Sequence, residues 1–289
     1  MLQLLSTLIM GKQLTARGIK APGLRPRTKV AQDAQKRRGS TVAKPSSSTG
    51  EVLKLPPSLP MASKLPALRG RRGGCVVGVD EAGRGPWAGP VVAAAVTAGA
   101  AAVQRTAGVT DSKKLSEAQR EAVFAELTSD PDIRYEVVVV GRERIDRTNI
   151  LAAAHEAMAK AVKQLQKKLP QAQRGAVLVD GNLIPKQLES SSCKAVVGGD
   201  RTCFEIAAAS VLAKVTRDRH MRKLHNKFPD YGFDSHKGYG TAAHQAALQR
   251  LGPCTEHRTT FQPLKGFLAT GEWKQRGKRT AKKPEPSNA

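Results

Sequence analysis

The chain has 289 residues, 40% of them hydrophobic, enough apolar material for one α/β domain with extensions. Its 48 Lys and Arg against 24 Asp and Glu leave a net charge of +24, which points to a polyanionic partner whose binding weakens steeply with salt. No apolar run approaches a membrane span. Four cysteines (Cys75, Cys193, Cys203, Cys254) form no C-x-x-C pair, which argues against a zinc site and for free thiols in a reducing compartment.

The charge is unevenly spread. Residues 1–70 carry 13 basic and 2 acidic side chains, residues 71–264 carry 28 and 20, and residues 265–289 carry 7 and 2. The acids are thus concentrated in the middle, as expected of a site that holds phosphates and cations together. Residues 1–70 show no foldable pattern. An apolar start at Met1–Met10 gives way to Lys, Arg, Ser, Pro and Gly, with no acid before Asp33. Such an acid-poor, Arg-bearing start resembles a mitochondrial presequence. Lys36-Arg37-Arg38 offers a nuclear address as the alternative, and a secretory signal is disfavoured because no basic residue precedes the apolar stretch. Ser46–Gly50 and Pro56–Pro60 read as linker.

The folded domain is expected over residues 71–268. Cys75–Val79 reads as a buried strand, and Val91–Val96 as a second strand antiparallel to it across a Gly-rich turn. A helix over Ser116–Leu127 is capped by Ser116, and Tyr135–Val140 is a β-branched strand. Ile150–Leu169 is an amphipathic helix closed by Pro170. Strands at Ala176–Val179 and Ala195–Val197 precede a helix from about Cys203 to Lys227. A last helix, Ala242–Leu251, stops at Gly252-Pro253. Strands first and βα units afterwards predict a mixed sheet with helices on its faces. Residues 269–289 read as a disordered basic tail.

Three of these strands hand over to acids as they leave the core: Asp80-Glu81 after the first, Asp180 after Ala176–Val179, and Asp200 after Ala195–Val197. The ends of sheets are where open α/β folds place their chemistry. One such aspartate is ordinarily a turn former or a helix cap; three of them, with Glu81 beside the first, are better explained as a cluster. Clustered carboxylates repel unless cations sit between them, and hard oxygen donors select Mg²⁺ or Mn²⁺. Successive strand residues face opposite sides, so Asp80 and Glu81 converge only if the strand breaks there, and Gly83 is placed to break it.

Gly78-Val79-Asp80-Glu81-Ala82-Gly83-Arg84-Gly85-Pro86, continuing to Val92, resembles the opening motif of type 2 ribonucleases H, the ribonuclease HII family. Asp111–Leu115, Val179–Asn182, Ala208–Arg219, His236–Tyr239 and Glu256–Arg258 follow in that family's order, over roughly residues 74–264. The resemblance is nearer the bacterial single-chain form than the catalytic subunit of the eukaryotic trimer. It implies a ribonuclease H-like α/β fold, with a mixed sheet flanked by helices and a C-terminal helical region. It implies a monomeric endonuclease acting on RNA–DNA hybrids and on ribonucleotide-containing duplex DNA through two Mg²⁺ or Mn²⁺ ions.

By the same resemblance Asp80, Glu81, Asp180 and Asp200 are the metal ligands, with Asp80 shared between the ions. Asp218, on one helical face with Lys214 and Ser210, tunes the site or pairs with Lys214. Gly83-Arg84-Gly85 reads the ribose 2′-hydroxyl, which a protein must contact to tell RNA from DNA. Tyr239 packs on the neighbouring sugar, and Lys113, Lys214 and His236 are phosphate contacts. Two positions depart from the pattern. Gly198 stands where lysine is common, removing a cation near Asp200, and Gly240 replaces the usual Pro or Ala, which would loosen Tyr239. The alternative of another class is a basic RNA-binding protein that has lost activity, part of an organellar assembly.

Overall fold

The computed structural model describes residues 75–273, apart from residues 107, 108, 110, 111, 190 and 191. The readings made for residues 1–70, for Asp111 and for residues 274–289 lie outside the described residues.

Five strands form one sheet in the order β3-β2-β1-β4-β5: β1 Cys75–Ala82, β2 Val91–Ala98, β3 Ile133–Val140, β4 Arg174–Asp180 and β5 Cys193–Val196. β1 lies at the centre, antiparallel to β2 and parallel to β4. β3 extends the antiparallel half and β5 the parallel half. Such mixed pairing follows from the connections. A short turn joins β1 to β2, whereas β1 reaches its parallel neighbour β4 only through the long intervening chain.

Two long helices cover the faces. α4 (Ile150–Lys168) buries Ala153, Ala157, Ala161, Val162 and Leu165 in the same core as Val77, Val79, Val91, Ala93 and Val177. α5 (Phe204–Lys227) sets Ala208, Val211 and Leu212 against Val92, Ala94 and Val96. Ala93, Ala94 and Ala95 of β2 are wholly buried, and their small side chains let both helices come close to the sheet. Alternation along the strands therefore decides which helix each side chain of β1 meets.

α2 (Glu117–Ser129) follows a short helix, α1 (Ala100–Arg105), and is fixed by a capping box: Gln119 N–H donates to Ser116 Oγ at 3.2 Å while Ser116 N–H donates to Gln119 Oε1 at 2.9 Å. Ser116→Ala is expected to cost about 1 kcal/mol, read as a fall in melting temperature of roughly 2–4 °C.

The sequence reading needs amending in three places. β5 is an edge strand with mixed exposure, and Val197 beyond it is 78% exposed, so the third acidic strand is not a core strand. Helices α1, α3 (Arg142–Arg147), α6 (Phe233–His236) and α8 (Leu264–Thr270) were not foreseen. They are too short for helical periodicity to register. With α8 following α7 (Ala242–Leu251), packed structure continues past residue 268 to Trp273, whose ring stacks on Phe267 at 4.6 Å.

Candidate active site

β1 and β4 run side by side with Val79 opposite Val179, so the next residues, Asp80 and Asp180, leave the two strands at the same height. β1 does not break at Asp80-Glu81 as the sequence reading required; it continues to Ala82. Asp80, opposite Ala94, faces α5, and Glu81, opposite Ala93, faces α4. The two meet the remaining acids around the end of the sheet instead of on one face of it. Asp200 sits in a short 3₁₀ turn, Gly199–Arg201, between β5 and α5. Its backbone N–H donates to Asp180 Oδ1 at 3.4 Å.

The electrostatics bind these four into one group. Burial, then the charges of Glu81 and Asp180, holds the Asp80 carboxyl well above the usual range, while a hydrogen bond from Ser210 on α5 opposes the rise. Ser210 Oγ lies 2.9 Å from Ser112 Oγ. Burial also raises Glu81, although Arg84, whose Nη1 donates to Glu81 Oε1 at 3.2 Å, pulls the other way. Asp180 is raised by burial and by the charge of Asp200. Among the described residues no three His, Cys, Asp or Glu side chains are preassembled around a single point. The carboxylates stand as neighbours that raise one another by their charge. A small cavity of about 40 Å³ opens beside Glu81 and Asp180, walled by Arg84, Asn182, Met158 and His155 of α4.

Gly83-Arg84-Gly85 lies immediately after β1 and is held by two buried arginines. Arg258 donates from Nη2 to Gly83 O (2.6 Å) and Pro90 O (3.0 Å), from Nη1 to Arg84 O (3.1 Å), and from Nε to Gly89 O (2.9 Å). Arg217 of α5 donates to the carbonyls of Pro90, Lys237 and Ala88 at 3.0–3.2 Å. Gly83 has φ +100°, and a Cβ there would lie 2.2 Å from Arg217 Nε, so only glycine fits. The Tyr239 ring, 45% exposed, lies beside Gly85, 3.5 Å from where that glycine's Cβ would be. The Gly83–Gly85 loop and Tyr239 are therefore contiguous.

Other predicted residues take particular places. Lys113 Nζ is 3.3 Å from Asp200 Oδ2, so this lysine faces the acid cluster. Lys214 Nζ donates to Asp218 Oδ1 at 2.7 Å, and Asp218 is buried. Lys214 and Asp218 follow Ser210 by one and two turns on the same face of α5. His236 does not reach outward as a phosphate contact. Its Nε2 pairs with Tyr231 O at 2.6 Å, its Nδ1 accepts from Gly238 N–H, and its ring stacks on His244 at 4.3 Å.

Both departures from the family pattern are answered locally. Asp200 does not lack cations: besides Lys113, Arg201 Nε approaches it at 3.9 Å, and the guanidinium lies over Gly198, which turns through φ +66°. At Gly240 a side chain has no room. The Trp87 indole occupies the space, 2.1 Å from where a Cβ would stand. Gly240→Ala is expected to destabilise by about 1–3 kcal/mol through this overlap, measured by thermal melting.

Sequence reasoning gave no role to Arg217, Arg258, Trp87 or His155. A buried arginine has no local pattern. His155 stands in an otherwise ordinary amphipathic helix, and only tertiary structure brings it to the acids.

A family model of ribonuclease HII matches residues 77–264. The ribonuclease HII of Chlamydia caviae is 48% identical over 193 residues, 66% of this chain and 85% of that protein. The crystal structure of ribonuclease H2 from Pyrococcus horikoshii OT3 superposes with a TM-score of 0.55 at 29% identity, covering 66% of this chain and 96% of that one. Bst-RNase HIII in complex with Mn²⁺ shares the fold at 19% identity, TM-score 0.58, over 74% and 73% of the two chains. The mixed sheet flanked by helices is thus the ribonuclease H-like fold. The chain belongs to the ribonuclease HII family and is a ribonuclease H, an endonuclease directed at the RNA of RNA–DNA hybrids.

Proposed function

We propose that this enzyme cuts both within RNA–DNA hybrids and on the 5′ side of single ribonucleotides embedded in duplex DNA, leaving 3′-hydroxyl and 5′-phosphate ends. The observation that carries this is the union, on one short stretch, of an acid cluster with a backbone loop able to read one ribose. Asp80 and Glu81 end β1, and Gly83-Arg84-Gly85 follows with Tyr239 against it.

The donor set suits two divalent cations, Mg²⁺ or Mn²⁺: four hard carboxylates, three of them held above their usual range by burial and mutual charge. Asp80 would serve both ions, Asp180 and Asp200 would each bind one side, and Glu81 would support the first ion. Bound there, the cations would activate a water and absorb charge on the leaving oxygen. The remaining work falls to the chain itself. Ser210 orients Asp80, and Lys113 and Arg201 fix Asp200. The loop amides and carbonyls at Gly83–Gly85 face the 2′-hydroxyl, Arg84 meets the adjacent phosphate, and the Tyr239 ring lies against the next sugar.

All of these side chains come from one chain, so a monomer suffices for the reaction. The basic extension of residues 1–70 is proposed to direct the enzyme to mitochondria, with the nucleus as the competing address. A reporter fused to residues 1–70 checks this, and a diffuse cytosolic signal would defeat both.

The substrate test is cleavage mapping on two duplexes side by side, one a continuous hybrid and the other DNA with a single ribonucleotide. The reading expects both to be cut, the second on the 5′ side of the ribonucleotide. An intact single-ribonucleotide duplex beside a cleaved hybrid would remove the ribose-reading role of the loop. Binding to both without cleavage, unaltered when the carboxylates are replaced, would leave an inert RNA-binding protein.

A further inference from the structure

Behind Tyr239 lies a buried pair of histidines that the reaction itself does not use. His244 and His257 are both fully buried, with their Nε2 atoms 3.0 Å apart. His244 Nδ1 is 3.0 Å from Tyr239 O. At the far end, the Cys254 backbone N–H, which can only donate, points to His257 Nδ1 at 3.0 Å.

Cys254 Sγ and O also lie 3.2 and 3.3 Å from His257 Nδ1, so the protons are fixed from the other end, where the Tyr239 carbonyl can only accept. Neutral His244 therefore carries its proton on Nδ1 and donates it to that carbonyl, which leaves His244 Nε2 to accept. His257 then carries its proton on Nε2 and donates to His244 Nε2, and its Nδ1 accepts from the Cys254 N–H. Burial pushes His244 down to about 3 and His257 to about 4, which keeps both rings neutral in the working range. His257 is itself tied to the segment after the ribose-reading loop: its residue bridges Ala88, and the next N–H, of Arg258, donates to Trp87 O at 2.8 Å. Trp87 N–H in turn donates to Gly238 O at 2.8 Å, and the Trp87 ring lies 5.5 Å from His244. The relay therefore spans from the segment following Gly85 to the backbone of Tyr239.

We infer that His244 and His257 are positioning residues for ribonucleotide recognition: a one-directional hydrogen-bond relay that holds Tyr239 in register with Gly83-Arg84-Gly85. The inference rests on the proposed sugar-packing role of Tyr239. It assigns these histidines neither metal binding nor proton transfer to substrate.

Two amide substitutions separate the two ends of the relay without removing polarity. His244→Asn places an amide near the Nδ1 position and keeps a donor for the Tyr239 carbonyl. His244→Gln places it near Nε2, keeping His257 company but losing Tyr239. On a duplex with one ribonucleotide, His244→Asn is expected to stay within about twofold of wild-type kcat/KM, and His244→Gln to lose about tenfold, the worth of one hydrogen bond. In a Tyr239→Ala background the two are expected to become equal, because the relay acts through that residue. Equal activities of the Asn and Gln variants in the otherwise wild-type enzyme, or a Gln deficit that persists unchanged beside Tyr239→Ala, would overturn the relay alone. Wild-type cleavage by Tyr239→Ala itself would overturn the sugar-packing role and the relay with it.

Discussion

Asp80→Asn is expected to abolish cleavage while raising the melting temperature of the metal-free protein at neutral pH. The loss should be on the order of 10³-fold or more, because an amide is a far poorer partner for a hard cation than the carboxylate placed between Glu81 and Asp180. The gain has a separate origin. Asp80 is buried beside two like charges and held well above the usual carboxylate range, so its ionised form opposes folding. An acid whose folded pKa exceeds its unfolded one binds its proton more tightly when folded, and stability then falls as pH rises through the folded value. Asparagine cannot ionise, yet it can keep the hydrogen bond with Ser210. Its advantage is therefore full above the raised pKa and disappears below about 3.9, the unfolded value. About 1–2 kcal/mol is expected at pH 7, or roughly 2–8 °C. Melting curves in chelator across pH 3–8 check this. A variant that melts below the wild type at pH 7 would mean that the acids are not in mutual repulsion.

Arg258→Met is expected to be the most damaging single change to the fold. Its guanidinium serves four backbone carbonyls, of Gly83, Arg84, Gly89 and Pro90, in a fully buried position. Methionine fills the space and leaves all four acceptors without this donor, at a cost of about 3–5 kcal/mol. Melting should fall by roughly 10 °C, and kcat/KM on a single-ribonucleotide duplex should fall with it as the Gly83–Gly85 backbone loses its support. Arg258→Lys should recover little, since one ammonium cannot reproduce a planar fork that reaches four carbonyls. The charge is not what stabilises here. Burial, joined by the nearby charge of Arg217, pulls the guanidinium down to about 9, so the value of Arg258 lies in its directed donors. A Met variant melting within a degree or two of the wild type would contradict this.

Much of the fold was legible because its determinants are local. The Ser116 cap with Gln119 three residues on, the alternation of apolar positions over Ile150–Lys168, and Gly252-Pro253 after α7 are each written within a turn or two of chain. The acids were legible for a different reason: a charged residue directly after a β-branched run needs an explanation, and it recurs. Elements shorter than two turns carry too few residues to show a period, which hid α1, α3, α6 and α8. The unbroken passage of β1 through Asp80 and Glu81 was hidden because a glycine two residues on suggests a break equally well in either register. What holds the loop was invisible for a deeper reason. Arg258 and, for two of its three bonds, Arg217 are separated from their carbonyl partners by well over a hundred residues, and nothing in a sequence marks an arginine as a backbone donor. Gly240 shows the same limit in reverse. Its meaning lies in Trp87, a contact made across more than 150 residues of chain.

The acid cluster also accounts for why a strongly basic protein carries its carboxylates where it does. A net charge of +24 attracts nucleic acid to the whole molecule, whereas four acids at one sheet end repel phosphate unless cations intervene. Binding can then be general while cleavage is confined to the one place where a phosphate and divalent cations are held together. On the proposed mechanism the cations, and not the basic surface, determine turnover.

The most direct test is therefore the cleavage rate as a function of Mg²⁺ concentration, on one hybrid substrate at constant ionic strength, for the wild type and for Asp180→Asn and Asp200→Asn. The rate should vanish in chelator and saturate with added Mg²⁺ in the wild type, and both variants should need more Mg²⁺ for whatever activity they keep. A wild-type rate indifferent to chelator, or variants that follow the wild-type curve, would contradict the assignment of these carboxylates to the cations.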